Sequence, residues 1–322
     1  MTQRWPYASL VVISSASILL LAVIFSLRKQ LWTLNQNNKT LIKTGRCKEI
    51  PKLEETPLRT TIPKRIYQTY IPSSEDMLPS SMKKAIHSFK SLNANYKHQY
   101  FGDDAALNIL IEHFGNDSDE VFAFRNLIPG AFKIDFWRYA MLWLFGGFYA
   151  DADMLLMEPF EKWISPNASF VIPLEKIGFG FHNGFIGSVP QHPIMRIAMD
   201  MVIYNVKHKF YPGVPNTKVH PRHSDLAVSG PILIGKAINR FVHEPEEVPH
   251  NITKILSKNV QIIGYCCHDF FDEESFFALP LEDACEGTKL VQVKYPEFRQ
   301  EHKASTAQIP YGRLFVERKV FV

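Results

Sequence analysis

From Tyr7 to Leu27 no position is charged, and after the initial tyrosine every residue is Leu, Val, Ile, Ala, Ser or Phe. At about 1.5 Å per residue that run spans about 31 Å, close to the hydrocarbon thickness of a bilayer. It predicts one transmembrane helix. A cleaved signal peptide is the competing reading, but its apolar stretch is shorter and ends in an A-x-A-like site, whereas Arg28-Lys29 follow this run directly. Residues 28–61 are polar, rich in Lys, Asn, Thr and Glu, and punctuated by Pro51 and Pro57, as in a stem. The pattern therefore divides the chain into a tail (1–6), a signal anchor (7–27), a stem (28–61) and a domain (62–322) long enough for one large core.

Within the domain, Ile62 to Tyr70 reads as a first strand entered through Pro63, Met77 to Leu92 as a helix, and Tyr96 to Phe101 as a second strand. Asp103-Asp104 open another helix, acidic residues suiting the positive end of its dipole. Ala131 to Phe145 is the most strongly helical stretch, preceded by Pro129-Gly130 and stopped by Gly146-Gly147. Phe148-Tyr149-Ala150 is a short strand that delivers Asp151-Ala152-Asp153 at its end. Later, Phe170-Val171-Ile172, Phe185-Ile186-Gly187 and Val260 to Gly264 look like strands, and His192 to Val206 and the segment after Ser229-Gly230-Pro231 look like helices. This alternation predicts an α/β fold, a mixed sheet flanked by helices. Ligands of such sheets gather beyond the carboxyl ends of the strands, where Asp151 and Asp153 fall.

Composition changes little. Of 322 residues, 46% are apolar and 21% charged, ordinary for a globular protein. Thirty-six Lys and Arg against 32 Asp and Glu leave +4, too little to make nucleic acid the partner. Cys47, Cys266, Cys267 and Cys285 lack the paired spacing of a zinc site. Two signals on topology disagree. The basic residues after the apolar run would keep the domain cytosolic by the positive-inside rule, whereas sequons at Asn38, Asn116, Asn167 and Asn251 are usable only in the secretory lumen.

The chemistry lies in the acidic pair. Two carboxylates one residue apart both reach a divalent ion only if the backbone turns where the strand ends. Hard oxygen ligands suit Mn²⁺ or Mg²⁺, which also bridge diphosphate oxygens. On the helix before, Asp135 and Arg138 stand at i and i+3 on one face, among Ile134, Phe136, Trp137, Tyr139, Ala140, Met141 and Leu142. A buried Asp–Arg pair needs further partners. A ligand with hydroxyls and phosphates would supply them.

These segments, Lys133-x-Asp135-x-x-Arg138 and then Gly146-Gly147-x-Tyr149-x-Asp151-x-Asp153, resemble the signature of glycosyltransferase family 32. Ile62-Pro63-Lys64-Arg65-Ile66-Tyr67-Gln68-Thr69 resembles the family's opening strand, and Asn183-Gly184-Phe185-Ile186-Gly187 its central motif. The resemblance implies a GT-A-like, Rossmann-like nucleotide-sugar fold and retaining transfer of a hexose to a glycan or glycolipid acceptor, with mannose from GDP-mannose the first expectation. UDP-linked hexoses and a catalytically inactive lumenal sugar-binding protein are the alternatives. By the resemblance, Asp151 and Asp153 are catalytic and hold Mn²⁺ (or Mg²⁺), Asp135, Arg138, Tyr149 and Asn183 bind the donor, and Tyr67 lines the base pocket. His302 would be a further metal ligand, although the Ser-Trp that follows that histidine in the family is here Lys303-Ala304-Ser305. His182 would face the acceptor or pack as a loop histidine, and Asp103-Asp104 fall near a family acidic pair that helix capping explains as well. A phosphohydrolase also places D-x-D after a strand but continues with Thr, where this chain has Met154-Leu155. Nucleotide sugars are delivered to the Golgi lumen, so the chemistry argues for a single-pass type II Golgi protein with a lumenal domain. There, Cys266 or Cys267 pairing with Cys285 is expected.

Overall fold

The computed structural model describes residues 61–70, 74–175, 179–214, 221–267, 274–293, 295–304 and 311–322. The expected anchor (7–27) and the expected stem up to residue 60 lie outside these. Among the described residues no helix is long and apolar enough to cross a membrane.

Strand β1 (Arg65–Thr69) pairs in parallel with β2 (Lys97–Phe101) on one side and with β3 (Gly147–Ala150) on the other. Helix α1 (Ser80–Leu92) connects β1 to β2 and starts three residues later than hydropathy suggests. The reason is Pro79, which holds Leu78 extended (ψ 151°) and confines Glu75–Met77 to a separate 3-10 turn. Helix α2 (Asp103–Phe114) opens on its two aspartates behind Gly102. A short α3 (Asp119–Asn126), which periodicity does not announce, is capped by Ser118, whose hydroxyl accepts from the Val121 amide at 3.2 Å. Helix α4 (Gly130–Phe145) is apolar nearly all round and buried along most of its length. It ends on Gly146 and Gly147, with φ of +60° and +107°. A Cβ on Gly146 would sit 2.6 Å from Pro190 Cδ, and one on Gly147 would sit 2.9 Å from the Arg65 carbonyl, so both positions require glycine.

The remaining elements are β4 (Met154–Leu156), β5 (Phe170–Pro173), β6 (Phe185–Ser188), α5 (Pro193–Lys207), a 3-10 segment (Pro221–Ala227), α6 (Pro231–Phe241), α7 (Ile252–Leu256), β7 (Val260–Cys266), β8 (Ser275–Leu279), β9 (Thr288–Val293), α8 (Pro296–Ala304) and α9 (Tyr311–Val316). The sheet runs β2-β1-β3-β6-β5-β7-β8-β9-β4. Besides the β1 pairings, β5 and β7 are parallel, and the other neighbours are antiparallel, so the sheet is mixed as expected. Only Asp151–Asp153 separate β3 from β4, yet these strands stand third and ninth in the order. The sheet therefore curls until its far edge returns to the end of β3.

Strand alternation divides the core. Tyr67 and Tyr149 face the layer of α4, α5 and α6 with Trp137, Leu142, Met199 and Leu233. Ile66, Phe148 and Ala150 face the inside of the curl with Phe89, Leu156, Phe160 and Val291. There Phe148, Phe160 and Phe185 lie with ring centroids 4.5–6.2 Å apart. Each such pair adds about 0.5–1.5 kcal/mol beyond the burial of its area. Cys266 is bonded to Cys285, tying β7 to the turn between β8 and β9. That resolves the choice between the adjacent cysteines.

Candidate active site

Arg138 is the centre of the site. It is 4% exposed, and its ring of partners comes from four elements. Nη1 donates to the Asn183 carbonyl at 2.5 Å. Nη2 lies 3.3 Å from Asp135 Oδ1 and 3.1 Å from Asp151 Oδ1. The guanidinium also stacks over the Tyr149 ring, 4.3 Å from its centroid. Tyr149 in turn donates its hydroxyl to Asp151 Oδ1 at 2.7 Å. One oxygen of Asp151 is thus fixed by a cation and a phenol, and its other oxygen lies over Gly184, where a Cβ would come within 2.5 Å of it.

Asp135 is 8% exposed and fully engaged. Asn183 Nδ2 donates to its Oδ1 at 2.8 Å, and the Ser229 hydroxyl donates to its Oδ2 at 2.8 Å. Asn183 Nδ2 also reaches the Tyr139 hydroxyl at 3.0 Å, and that hydroxyl donates to the Ser229 carbonyl at 2.7 Å. The pair was expected to look to a ligand for its partners. The fold supplies them instead, because β6, α4 and the Ser229-Gly230 turn converge here. Burial pushes the Asp135 carboxyl up, against the pull of Arg138. Burial alone would lower Arg138, but Asp151, Tyr149 and Asp135 more than reverse it and hold the guanidinium charged. Burial first, then the neighbouring carboxylates, raises the Tyr139 and Tyr149 phenols, so both remain neutral donors.

These groups floor a cavity of about 580 Å³ whose walls include Tyr70, Asp153, His182, His223 and Tyr311. Asp153 is half-buried on its rim. Its charge adds to burial in raising the Tyr70 phenol. The structure therefore brings together Asp135, Arg138, Asp151, Asp153 and Asn183. Tyr149 is completely buried and meets the cavity through Asp151 and Arg138. Tyr67 does not line it. Its ring packs toward α4, where it is 1% exposed, and Thr69 and Tyr70, nearer the carboxyl end of the strand, line the cavity in its stead. His182 is both packed and cavity-lining. Its ring meets Phe277 edge-on, and its Nδ1 accepts from the Gly184 amide at 3.2 Å. Asp103 and Asp104 sit in the first turn of α2 and do not line the cavity. His302 falls in α8, and its side chain lies outside the described residues. Ser229 and Tyr139 were missed as site residues; the only sequence signal was the Ser229-Gly230-Pro231 turn.

Hard oxygen donors from the D-x-D turn suit Mn²⁺ or Mg²⁺, ions commonly held by one or two carboxylates and completed by phosphate oxygens. Among the described residues no three His, Cys, Asp or Glu side chains gather around one point.

Residues 79–170 match the family described as glycosyltransferase sugar-binding region containing DXD motif. A glycosyltransferase of Acanthamoeba polyphaga mimivirus is 30% identical over 134 residues, 41% of this chain and 52% of its own. The initiation-specific alpha-1,6-mannosyltransferase of Saccharomyces cerevisiae is 32% identical over 34% of this chain and 23% of its own. The mannosyl phosphorylinositol ceramide synthase of the same yeast is 30% identical over 48% and 38%. The chain spans about half the length of the first of these relatives and less of the others. Among solved structures, the PaToxG glycosyltransferase aligns over 82% of this chain and 86% of its own, at 16% identity and a TM-score of 0.43. The segment that holds Asp135, Arg138, Asp151 and Asp153 is thus a glycosyltransferase sugar-binding region containing the DXD motif, the family 32 type of segment.

Proposed function

We propose that this protein is a retaining, divalent-metal-dependent glycosyltransferase with a GT-A-like domain, acting in the Golgi lumen behind the Tyr7–Leu27 anchor. Its donor is a nucleotide sugar, GDP-mannose before UDP-hexoses, and its acceptor a glycan or glycolipid. The observation that carries this reading is the Asp151–Ala152–Asp153 turn at the mouth of the cavity, with Asp151 fixed from behind by Arg138 and Tyr149. The preference for mannose rests on the likeness to the yeast relatives, a mannosyltransferase and a mannosyl phosphorylinositol ceramide synthase.

Asp153, with Asp151, would hold Mn²⁺ or Mg²⁺ against the donor diphosphate. When bound, the ion offsets the negative charge that grows on the diphosphate oxygens as the glycosidic bond breaks. Arg138, 3.1 Å away, holds the Asp151 carboxylate in place at the cavity. Asp135 and Asn183 form a rigid polar floor suited to sugar hydroxyls, because their mutual hydrogen bonds leave them no other rotamer without loss. Tyr149 holds Asp151 without touching the donor. His182 and Tyr311 narrow the cavity and exclude water from the reacting centre.

The test is nucleotide release from a panel of GDP- and UDP-sugars by the full chain, with Mn²⁺ or with chelator. Metal-dependent release from one donor, lost in Asp153→Ala while the melting temperature is kept, is the expected result. Equal release by Asp153→Ala would overturn the metal assignment. A wild-type chain that binds no donor at all would favour the inactive sugar-binding alternative.

A further inference from the structure

Gln68 occupies a position in β1 that a half-solvated strand would leave to water, yet it is 0% exposed. Its Nε2 donates to the backbone carbonyl of Asp151 at 3.3 Å, and its Oε1 lies 2.8 Å from His98 Nε2 on β2. The backbone ladder between β1 and β3 stops at Tyr67 and Tyr149. Just beyond it the chain turns, and the Asp151 carbonyl accepts from the Met154 amide at 3.1 Å. Gln68 therefore continues with its side chain the pairing that the backbone gives up, and it does so at the residue where the acidic turn begins.

The polarity of this relay is determined. A peptide carbonyl only accepts, so the carboxamide must present N–H to Asp151 and its oxygen to His98. His98 must then carry a proton on Nε2. Burial, helped by Lys90, lowers its pKa to about 4, so above that pH it is the neutral Nε2–H tautomer. The next residue extends the same tie, for Thr69 donates its hydroxyl to the Phe101 carbonyl at 2.6 Å.

We propose that Gln68, oriented by His98, is a positioning residue that holds the Asp151–Asp153 turn in the shape presenting both carboxylates to the cavity. The proposal rests on the metal–donor reading of that cavity for its ligand readout and on the turn itself for the other. Neither residue lines the cavity, so neither touches the donor.

Two measurements on the full chain test it, using Gln68→Met, His98→Phe and His98→Gln. The first is hydrogen exchange of the Met154 amide without ligand. The second is the affinity for GDP with Mn²⁺ by calorimetry. Gln68→Met and His98→Phe are expected to speed Met154 exchange and weaken Mn²⁺–GDP binding, each by about tenfold, the effect of one lost hydrogen bond. His98→Gln keeps an N–H donor and is expected to stay near wild type in both. Amides in α4 report whether each variant is folded. If Gln68→Met unfolds, the His98→Phe and His98→Gln pair decides the matter. Unchanged Met154 exchange in a folded His98→Phe overturns the proposal. A wild-type chain that fails to bind Mn²⁺–GDP instead refutes the donor reading, and the exchange data still decide the positioning role.

Discussion

Replacing Arg138 by methionine keeps most of the side-chain volume and removes the cation that the site is built around. Asp135 and Asp151 then lose a partner at 3.3 and 3.1 Å. Removing one member of a buried pair costs about 3–5 kcal/mol, because the other is left charged in a poor solvent. Here the lower end applies. Asp135 retains its bonds from Asn183 and Ser229, and the Asp151 side chain is 30% exposed, so water screens its share. A loss of about 3 kcal/mol in a domain of this size lowers Tm by roughly 6–12 °C. The assay is thermal and denaturant unfolding of the full chain at several pH values. With Arg138 gone, the folded-state pKa of Asp135 rises further above its unfolded value near 4. The deficit is therefore full at neutral pH and shrinks as acidification protonates the carboxyl. Adding Asp135→Asn to Arg138→Met removes the stranded charge and recovers part of the loss. A single variant within about 1 kcal/mol of wild type, or a deficit indifferent to both pH and Asp135→Asn, would refute the reasoning.

Burial lowers His98, His192 and His250 to about 4, 3 and 4 respectively. Unfolded histidines take protons near pH 6.5 and these do not, so stability is complete above that pH and is lost as pH falls toward 4, by about 2 kcal/mol for each at pH 5. A melting temperature that is flat between pH 7 and 5 contradicts it. His192→Asn keeps the cap on the Ile194 amide without the titration and should flatten the slope. Gly184→Ala would drive a methyl within 2.5 Å of Asp151 Oδ2 and Met154 Cε, an overpacking of about 1–3 kcal/mol. Mn²⁺–GDP affinity should fall with it, and unchanged affinity would show that Asp151 Oδ2 is not used. Asn116, Asn167 and Asn251 are all exposed. Glycosidase-sensitive mass at any one of them places the domain in the lumen, and none at all three in glycosylating cells removes the Golgi assignment.

The parts of the fold legible in the sequence are those specified locally. Pro63, Pro129, Gly146-Gly147 and Pro193 bound β1, α4, β3 and α5, and each element stands within a few residues of its expected place. Asp135 and Arg138 could be put on one helix face from spacing alone, and their contact at 3.3 Å agrees. What was illegible depends on partners far along the chain. Met154–Leu156 is too short to show a period, and it is a strand only because β9 lies beside it. Ser275–Leu279 is held between β7 and Thr288–Val293, and Thr288–Val293 between it and β4, so both depend on partners distant in sequence. The same limit hid the functions of Ser229, Gln68 and His98. No spacing rule links residues 68, 98 and 151, which meet only once the β2-β1-β3 order exists.

The passage from β3 into β4 also bears on the order of assembly. Met154 pairs with Val293, so among the described residues the strand that follows the acidic turn has no partner strand until Val293 has been made. Contacts this distant in sequence form late, since the loop they close is long. A nascent or truncated chain ending before β9 would carry the D-x-D residues and Arg138 intact, yet lack the edge that fixes where the turn leads. The placement of the acidic turn then depends on the arrival of β9, which supplies the partner strand for β4.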